Sequence, residues 1–227
     1  MLFAGTAEAS RRALEAVEQR RQLAAGDVIF RQGDPATSLI LVDSGLVKVW
    51  RATEDGTPIT LALLGPGEPI GTLNAAREMP QSAMVSAHIA TEIIVWPLDV
   101  LRTIMAGDPA LSANVSSVVA RYAVRMIERL EEVSTAPVEQ RIARALCRAS
   151  GIAAPIEGVI DLPLSRQDVA DMSATTLPTV SRIMARWRKA GLIGGHRGHI
   201  HLLDRERLRA IAAFAPDEPL AIGIGAP

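Results

Sequence analysis

The residues best equipped for chemistry in this 227-residue chain fall between Ser165 and Arg197. Ser165-Arg166-Gln167-Asp168 has the S-x-x-D form of a capping box, in which hydroxyl and acid each satisfy an orphan backbone N–H at a helix start. Val169, Ala170 and Met172 then share one face, which predicts a short helix. Ser173-Ala174 reads as a tight turn and Thr176 as the cap of a second helix, where Val180, Ile183, Met184 and Trp187 form the buried stripe. Thr179, Ser181, Arg182, Arg186, Arg188 and Lys189 lie largely outward, and Gly191 stops the helix. An arginine near a helix start can fork onto guanine O6 and N7 or onto a phosphate, hydroxyls reach base edges or phosphates, and further cations neutralise the backbone. Two helices on so short a turn, the second basic on its outer face, match the arrangement that sets a helix into a DNA major groove. Beyond Ile193, Gly194-Gly195-His196-Arg197-Gly198 between apolar strands predicts a hairpin wing.

Charge distribution points the same way. The formal net charge is −1, yet Ala136–Arg209 holds 12 Lys+Arg against 7 Asp+Glu, or +5, while the preceding 135 residues hold 12 against 16, or −4. Such asymmetry marks the end of a chain that meets a polyanion.

Other elements must hold that segment in place. Apolar residues make up 48% and charged residues 22%, a globular balance, with a core resting on aliphatic side chains because aromatics are only 3%. Glu8 to Leu23 carries Ala9, Ala13 and Val17 at helical spacing and predicts an amphipathic helix. From Ala25 to Trp96, short β-branched runs (Asp27–Arg31, Ser38–Val42, Gly45–Arg51, Pro58–Leu64, Ala83–Trp96) alternate with Gly33-Asp34-Pro35, Asp43-Ser44-Gly45, Glu54-Asp55-Gly56 and Gly65-Pro66-Gly67 turns. That rhythm predicts an antiparallel sandwich or barrel, with Asp55-Gly56 a hairpin signal. Asp108-Pro109 opens a long helix in which Leu111, Val115, Val118, Tyr122, Met126, Arg129 and Val133 keep an a/d rhythm. Its length, roughly 37 Å at 1.5 Å per residue, predicts pairing with the same helix of a second subunit. A boundary near Ala136-Pro137, a helix from Val138 to Ser150 and a connector from Gly151 to Pro163 lead back to the capping box.

These segments together resemble the Crp/Fnr family of bacterial transcription regulators over roughly residues 12–212. The resemblance rests on Gly26–Pro35, Ser44–Val49 and Leu64–Gly71 in the first half, and on Leu164–Ala170 and Thr179-Val180-Ser181-Arg182 in the second. It implies an α+β chain: an antiparallel β-roll sensor of the cyclic-nucleotide-binding type over 1–108, a dimerisation helix over 109–135, and a winged helix-turn-helix over 136–214, with a tail at 215–227. It also implies a homodimer on palindromic double-stranded DNA, with RNA polymerase as a further partner. The expected DNA contacts are Ser165, Arg166, Gln167, Thr176, Pro178, Thr179, Ser181, Arg182, Arg186, His196 and Arg197; the expected dimer seam is Leu111, Val115, Val118, Tyr122, Met126 and Val133. The Thr175-Thr176-Leu177 run before Thr179 looks closest to the nitrogen-oxide-responsive branch, of the NnrR type.

Two departures bear on specificity. Pro178 stands where many members carry a glutamate; proline is tolerated in a first helical turn, but a carboxylate able to accept from cytosine N4 is gone. In the effector region, expected around Gly71, Thr72, Leu73, Gln81, Ser82 and Tyr122, Gln81-Ser82 replaces the Arg-Ser pair that holds a cyclic phosphate, and Gly71 is followed by Thr72 without the ribose-binding glutamate. A neutral Gln81 cannot supply a charge-assisted bidentate bond, so the signal is expected not to be cyclic AMP.

One alternative is a haem-dependent nitric oxide or redox sensor; another is a cyclic-nucleotide-responsive regulator. A haem sensor needs an axial ligand, and His88, the one histidine of this half, is expected on the outer face of a strand, with Met79, Met84, Met105 and Met126 as core filler. One cysteine, Cys147, read as a buried apolar residue, cannot hold an iron–sulfur cluster or form an internal disulfide. His196, His199 and His201 cluster in the wing, where phosphate contact or strand packing is expected and a metal site is not. No signal peptide or 18-residue apolar span occurs, so a cytoplasmic location away from membranes is expected. No G-x-S-x-G, Walker lysine, H-E-x-x-H or G-x-G-x-x-G pattern occurs, so no enzyme is expected.

Overall fold

The computed structural model describes residues 2–53, 56, 58–76, 79–152 and 159–213. The Glu54-Asp55 part of the hairpin signal, residues 153–158 of the 151–163 connector and the tail at 215–227 lie outside the described residues.

Two four-stranded antiparallel sheets form the N-terminal unit. In the first, β1 (Gln19–Leu23), β8 (Thr91–Pro97), β3 (Ser38–Ser44) and β6 (Pro69–Ile70) lie side by side; in the second the order is β2 (Val28–Phe30), β7 (Met84–Ala87), β4 (Val47–Ala52), β5 (Pro58–Leu64). The alternation of side chains along a strand decides what each face buries. Ile93 and Val95 on β8, opposite Val42 and Ile40 on β3, point into the space between the sheets and meet Phe30, Val47, Leu64 and Val85. Ile94 and Trp96, with Leu39, point the other way, onto a helical layer. That layer is α1 (Glu8–Glu15), α3 (Leu98–Gly107) and the first half of α4 (Pro109–Thr135), with the short α2 (Thr72–Ala76) beside α4. The sheet carrying β8 is therefore the middle of three layers.

The expected helix from Glu8 to Leu23 stops at Glu15, because Gln19–Leu23 pairs with β8 as an edge strand whose Arg20 and Arg21 stay in water. Charged, exposed edge residues are how a sheet margin avoids pairing with other chains. Ala83–Trp96 is not one strand: the chain leaves one sheet after Ala87 and enters the other at Thr91. Gly45 sits at that crossing with φ +87°, its α-carbon so close to Ala90 O that an added β-carbon would stand 2.4 Å away.

Asp108 caps α4, its Oδ1 accepting from Leu111 N at 3.0 Å while Oδ2 accepts from Ala7 N at 2.9 Å. The dimer-seam expectation needs correction here. Leu111, Val115 and Val118 are buried in the chain's own core against Leu14, Trp96, Leu98 and Leu101, so they have no face left for a partner. The apolar residues that α4 leaves in water are Val124, Met126, Ile127, Leu130 and Val133, with Ile127 at 67% and Leu130 at 69% exposure. Met126, like Met79, is thus not core filler.

After Ala136-Pro137 the chain builds the C-terminal unit: α5 (Val138–Ser150), β9 (Ile160–Leu162), α6 (Arg166–Met172), α7 (Leu177–Lys189), β10 (Ile193–Gly194), β11 (Ile200–Leu202) and α8 (Arg205–Ala213). Its core of Ile142, Leu146, Val169, Val180, Trp187, Ile193 and Leu208 runs on into Leu46 and Leu63 of the β-roll. Glu132 near the end of α4 is buried and takes a bidentate bond from Arg148 of α5, at 2.5 and 3.3 Å.

Candidate nucleic-acid interface

Every link of the capping box is made. Asp168 N donates to Ser165 Oγ at 3.1 Å, Ser165 N donates to Asp168 Oδ2 at 2.9 Å, and the serine hydroxyl donates to the same oxygen at 2.6 Å. Burial pushes the Asp168 carboxyl up, but the Ser165 hydroxyl and amide, backed by His88 and Lys48, outweigh it and hold the group below the usual carboxylate value. An ionised Asp168 at the first turn also suits the helix dipole.

The turn between α6 and α7 is bound from two sides. Ser173 is buried with its hydroxyl on Val169 O, and Ala174 takes φ +47°, the one left-handed non-glycine among the described residues. Arg141 of α5, which the sequence reading missed, donates to Ser173 O and Ala174 O at 3.0 and 3.1 Å, and to Val133 O of α4 at 3.2 Å. One guanidinium thus ties the reading turn to the end of the long helix; no local pattern marks such a role. Thr176 stands at the N-cap of α7 with extended backbone, but its hydroxyl faces the Thr179 hydroxyl at 3.0 Å and does not cap.

On α7, Val180, Ile183, Met184 and Trp187 are buried, leaving Pro178, Ser181 and Arg182 together on the opposite face. Arg182 is exposed, with no side-chain hydrogen bond or ion pair among the described residues; Arg166, Gln167 and Pro178 are exposed as well, while Ser165, Thr179 and Ser181 are half-buried. Arg186 is partly committed, donating at 2.8 Å to Glu139 Oε2, whose other oxygen takes the Trp187 indole. Arg188 reaches Gly195 O in the wing at 3.3 Å. In the wing, His196 and Arg197 are exposed, and His199 pairs with Asp161 of β9 at 2.9 Å. His196 lies 4.7 Å from His199 and 5.9 Å from His201, ring centre to ring centre. Among the described residues no cluster of histidine, cysteine or acid could hold a metal ion.

Of the effector-region residues, Tyr122 on α4 donates to Pro69 O at 2.7 Å, close in sequence to Gly71 and to a short helix that begins with buried Thr72 and exposed Leu73. Gln81 is buried, its backbone paired with Gly33 and Asp34 and its Nε2 without a partner, and Ser82 is exposed. Cys147 is half-buried beside the C-terminal core, and burial pushes its thiol up, away from thiolate reactivity.

His88 contradicts its expected place on an outer strand face. It lies just past the end of β7, where the chain crosses between sheets, and its Nε2–H donates to Pro163 O at 2.8 Å.

A two-sheet β-roll, a 27-residue helix and a winged helix-turn-helix with a free arginine on its outer face define a DNA-binding regulator with a sensor-type domain. Residues 20–108 match the cyclic nucleotide-binding domain and residues 140–211 the Crp-like helix-turn-helix domain. The chain is 29% identical to the cyclic AMP receptor protein of Thermus thermophilus, over 86% of this chain and 88% of that one. It is 28% identical to the transcriptional activator protein anr of Pseudomonas aeruginosa, over 87% and 82%. FixK2 from Bradyrhizobium japonicum shares the fold, with a TM-score of 0.78 at 23% identity, covering 88% of this chain and all, 100%, of that one. The chain belongs to the Crp/Fnr family and is a transcription regulator with a DNA-binding helix-turn-helix. No helix among the described residues is long and apolar enough to cross a membrane.

Proposed function

We propose that the chain acts as a homodimer joined along the second half of α4, placing two copies of α7 in successive major grooves of a palindromic site, roughly 34 Å apart. The observation that carries this is the pairing of two unpartnered surfaces: the Pro178–Ser181–Arg182 face of α7, and the stripe of Val124, Ile127 and Leu130 on α4. Apolar residues so exposed on a helix that leaves its own core are covered most simply by a second copy of the same helix.

The β-roll controls the reader through a signal other than cyclic AMP. Its relative in Thermus thermophilus is named for cyclic AMP, but neutral, buried Gln81 offers a donor without a charge. A histidine-ligated haem fits poorly too, since His88 is engaged with Pro163. The test is selection of DNA from a random pool by the purified protein, followed by sedimentation of the complex. Two chains on an inverted repeat are expected, with affinity falling as salt rises; one chain per duplex, or a single half-site, overturns the dimer reading. Calorimetric titration with cyclic AMP should show no heat of binding; saturable binding would overturn that part.

A further inference from the structure

Four ionisable side chains meet where the β-roll touches the reading head, and the capping box uses only one of them, Asp168. Lys48 on β4 places Nζ 3.2 Å from Asp168 Oδ1 and 3.5 Å from Asp171 Oδ2, both on α6. His88 holds Pro163 O just before the capping box and stands 3.8 Å from Asp168 Oδ2. All four are largely shielded, with side-chain exposures of 18% for Lys48, 15% for His88, 13% for Asp168 and 8% for Asp171. Around them Leu46, Leu63 and Ile89 join the apolar core of the head, and Gly65 lies so close to Ile152 that a β-carbon would stand 1.8 Å from its Cγ2.

Apolar contact alone tolerates sliding, whereas charge-assisted bonds to two carboxylates one helical turn apart fix both position and rotation of α6. We propose that Lys48 and His88 are positioning residues of the DNA reader: from the β-roll they grip the capping-box end of α6 and set the angle at which α7 is presented. Asp168 then has two jobs, closing the cap of α6 and receiving the sensor's grip, which makes the start of the helix-turn-helix the point where the two domains are joined. The clasp also neutralises two carboxylates on a helix that crosses the phosphate backbone in this class of reader.

The effect on DNA rests on the two-half-site reading above, so the test has one arm that does not. Nitroxide labels at Ala52→Cys on β4 and Lys189→Cys at the end of α7, on a Cys147→Ala background diluted with unlabelled protein, report the distance between roll and head in the full-length chain. One narrow distribution is expected for the parent and for Lys48→Arg, and a broad or displaced one for Lys48→Met and Lys48→Glu. An unchanged distribution in Lys48→Met overturns the proposal, whatever the DNA stoichiometry. On selected operators, a base pair added between half-sites should cost the parent far more affinity than Lys48→Met, with discrimination falling about tenfold, the weight of one charge-assisted bond. Equal discrimination in both proteins, or loss in Lys48→Arg as deep as in Lys48→Met, counts against positioning by charge. Matching thermal unfolding of the β-roll in parent and variant separates lost positioning from lost fold.

Discussion

The Tyr122 hydroxyl on α4 donates to the Pro69 carbonyl on β6 at 2.7 Å, so the long helix is pinned to the β-roll beside the Gly71 turn. Burial pushes the phenol from its ordinary 10.0 up to about 12, with Glu68 adding to the shift and Arg125 and Arg121 opposing it. The folded protein therefore holds this proton more tightly than the unfolded chain. Its contribution to stability is complete below pH 10.0 and is lost as pH rises through about 12. Tyr122 is the sole tyrosine, so ultraviolet tyrosinate absorbance reads it alone. The native midpoint should lie near 12 and fall to the ordinary value in denaturant; coincident midpoints would refute the burial. Tyr122→Phe should remove this alkaline slope and cost about 1 kcal/mol at neutral pH.

Two halves of α4 predict opposite phenotypes. Leu111 is fully buried in the protomer, so Leu111→Ala should cost about 2–5 kcal/mol in urea unfolding. It should leave subunit association untouched once the protein is folded. Ile127 and Leu130 support nothing within the protomer, so Ile127→Asp with Leu130→Asp should leave its core packing intact and shift sedimentation toward a single chain. A fully dimeric double variant would mean that the stripe is covered by something else.

What could be read from the sequence was what is local. The capping box, the short turn and the amphipathic α7 lie within about two dozen residues and carry their own signals. The a/d rhythm of α4 gave the helix but not its orientation, because a stripe at Leu111, Val115 and Val118 looks the same whether it enters its own core or a partner's. His88 does not follow the strand alternation of Met84–Ala87, because the chain changes sheet after Ala87 and the parity of its side chains is reset. Lys48 and Asp168 are separated by 120 positions, and Arg141 joins carbonyls of the α6–α7 turn to one at the end of α4; neither relationship leaves a trace in spacing.

At the joint between α4 and α5, Arg148 and Glu132 are unequal partners: Glu132 is 6% exposed at its side chain and Arg148 46%. Removing the arginine strands a buried carboxylate, whereas removing the acid leaves a cation that can turn to water. Arg148→Met should therefore cost about 3–5 kcal/mol and Glu132→Gln markedly less, measured by chemical denaturation. Equal costs would show that the Glu132 pocket opens to solvent once the pair is broken.

Arg182 and Gly195 separate reading from gripping. Arg182 is exposed on the outer face of α7, so Arg182→Ala should cost about 1–3 kcal/mol on the selected operator and relax preference at one base pair of each half-site. Gly195 shapes the wing: its φ is +104°, and an added β-carbon would stand 2.3 Å from His199 O, so Gly195→Ala must shift the turn that carries His196 and Arg197. The wing bears one cation, Arg197, and contacts to phosphate position a protein without specifying sequence. Gly195→Ala should thus weaken every duplex by a similar factor and flatten the salt dependence, while base preference stays as in the parent. If Gly195→Ala altered base preference and Arg182→Ala did not, the roles given to helix and wing would be reversed.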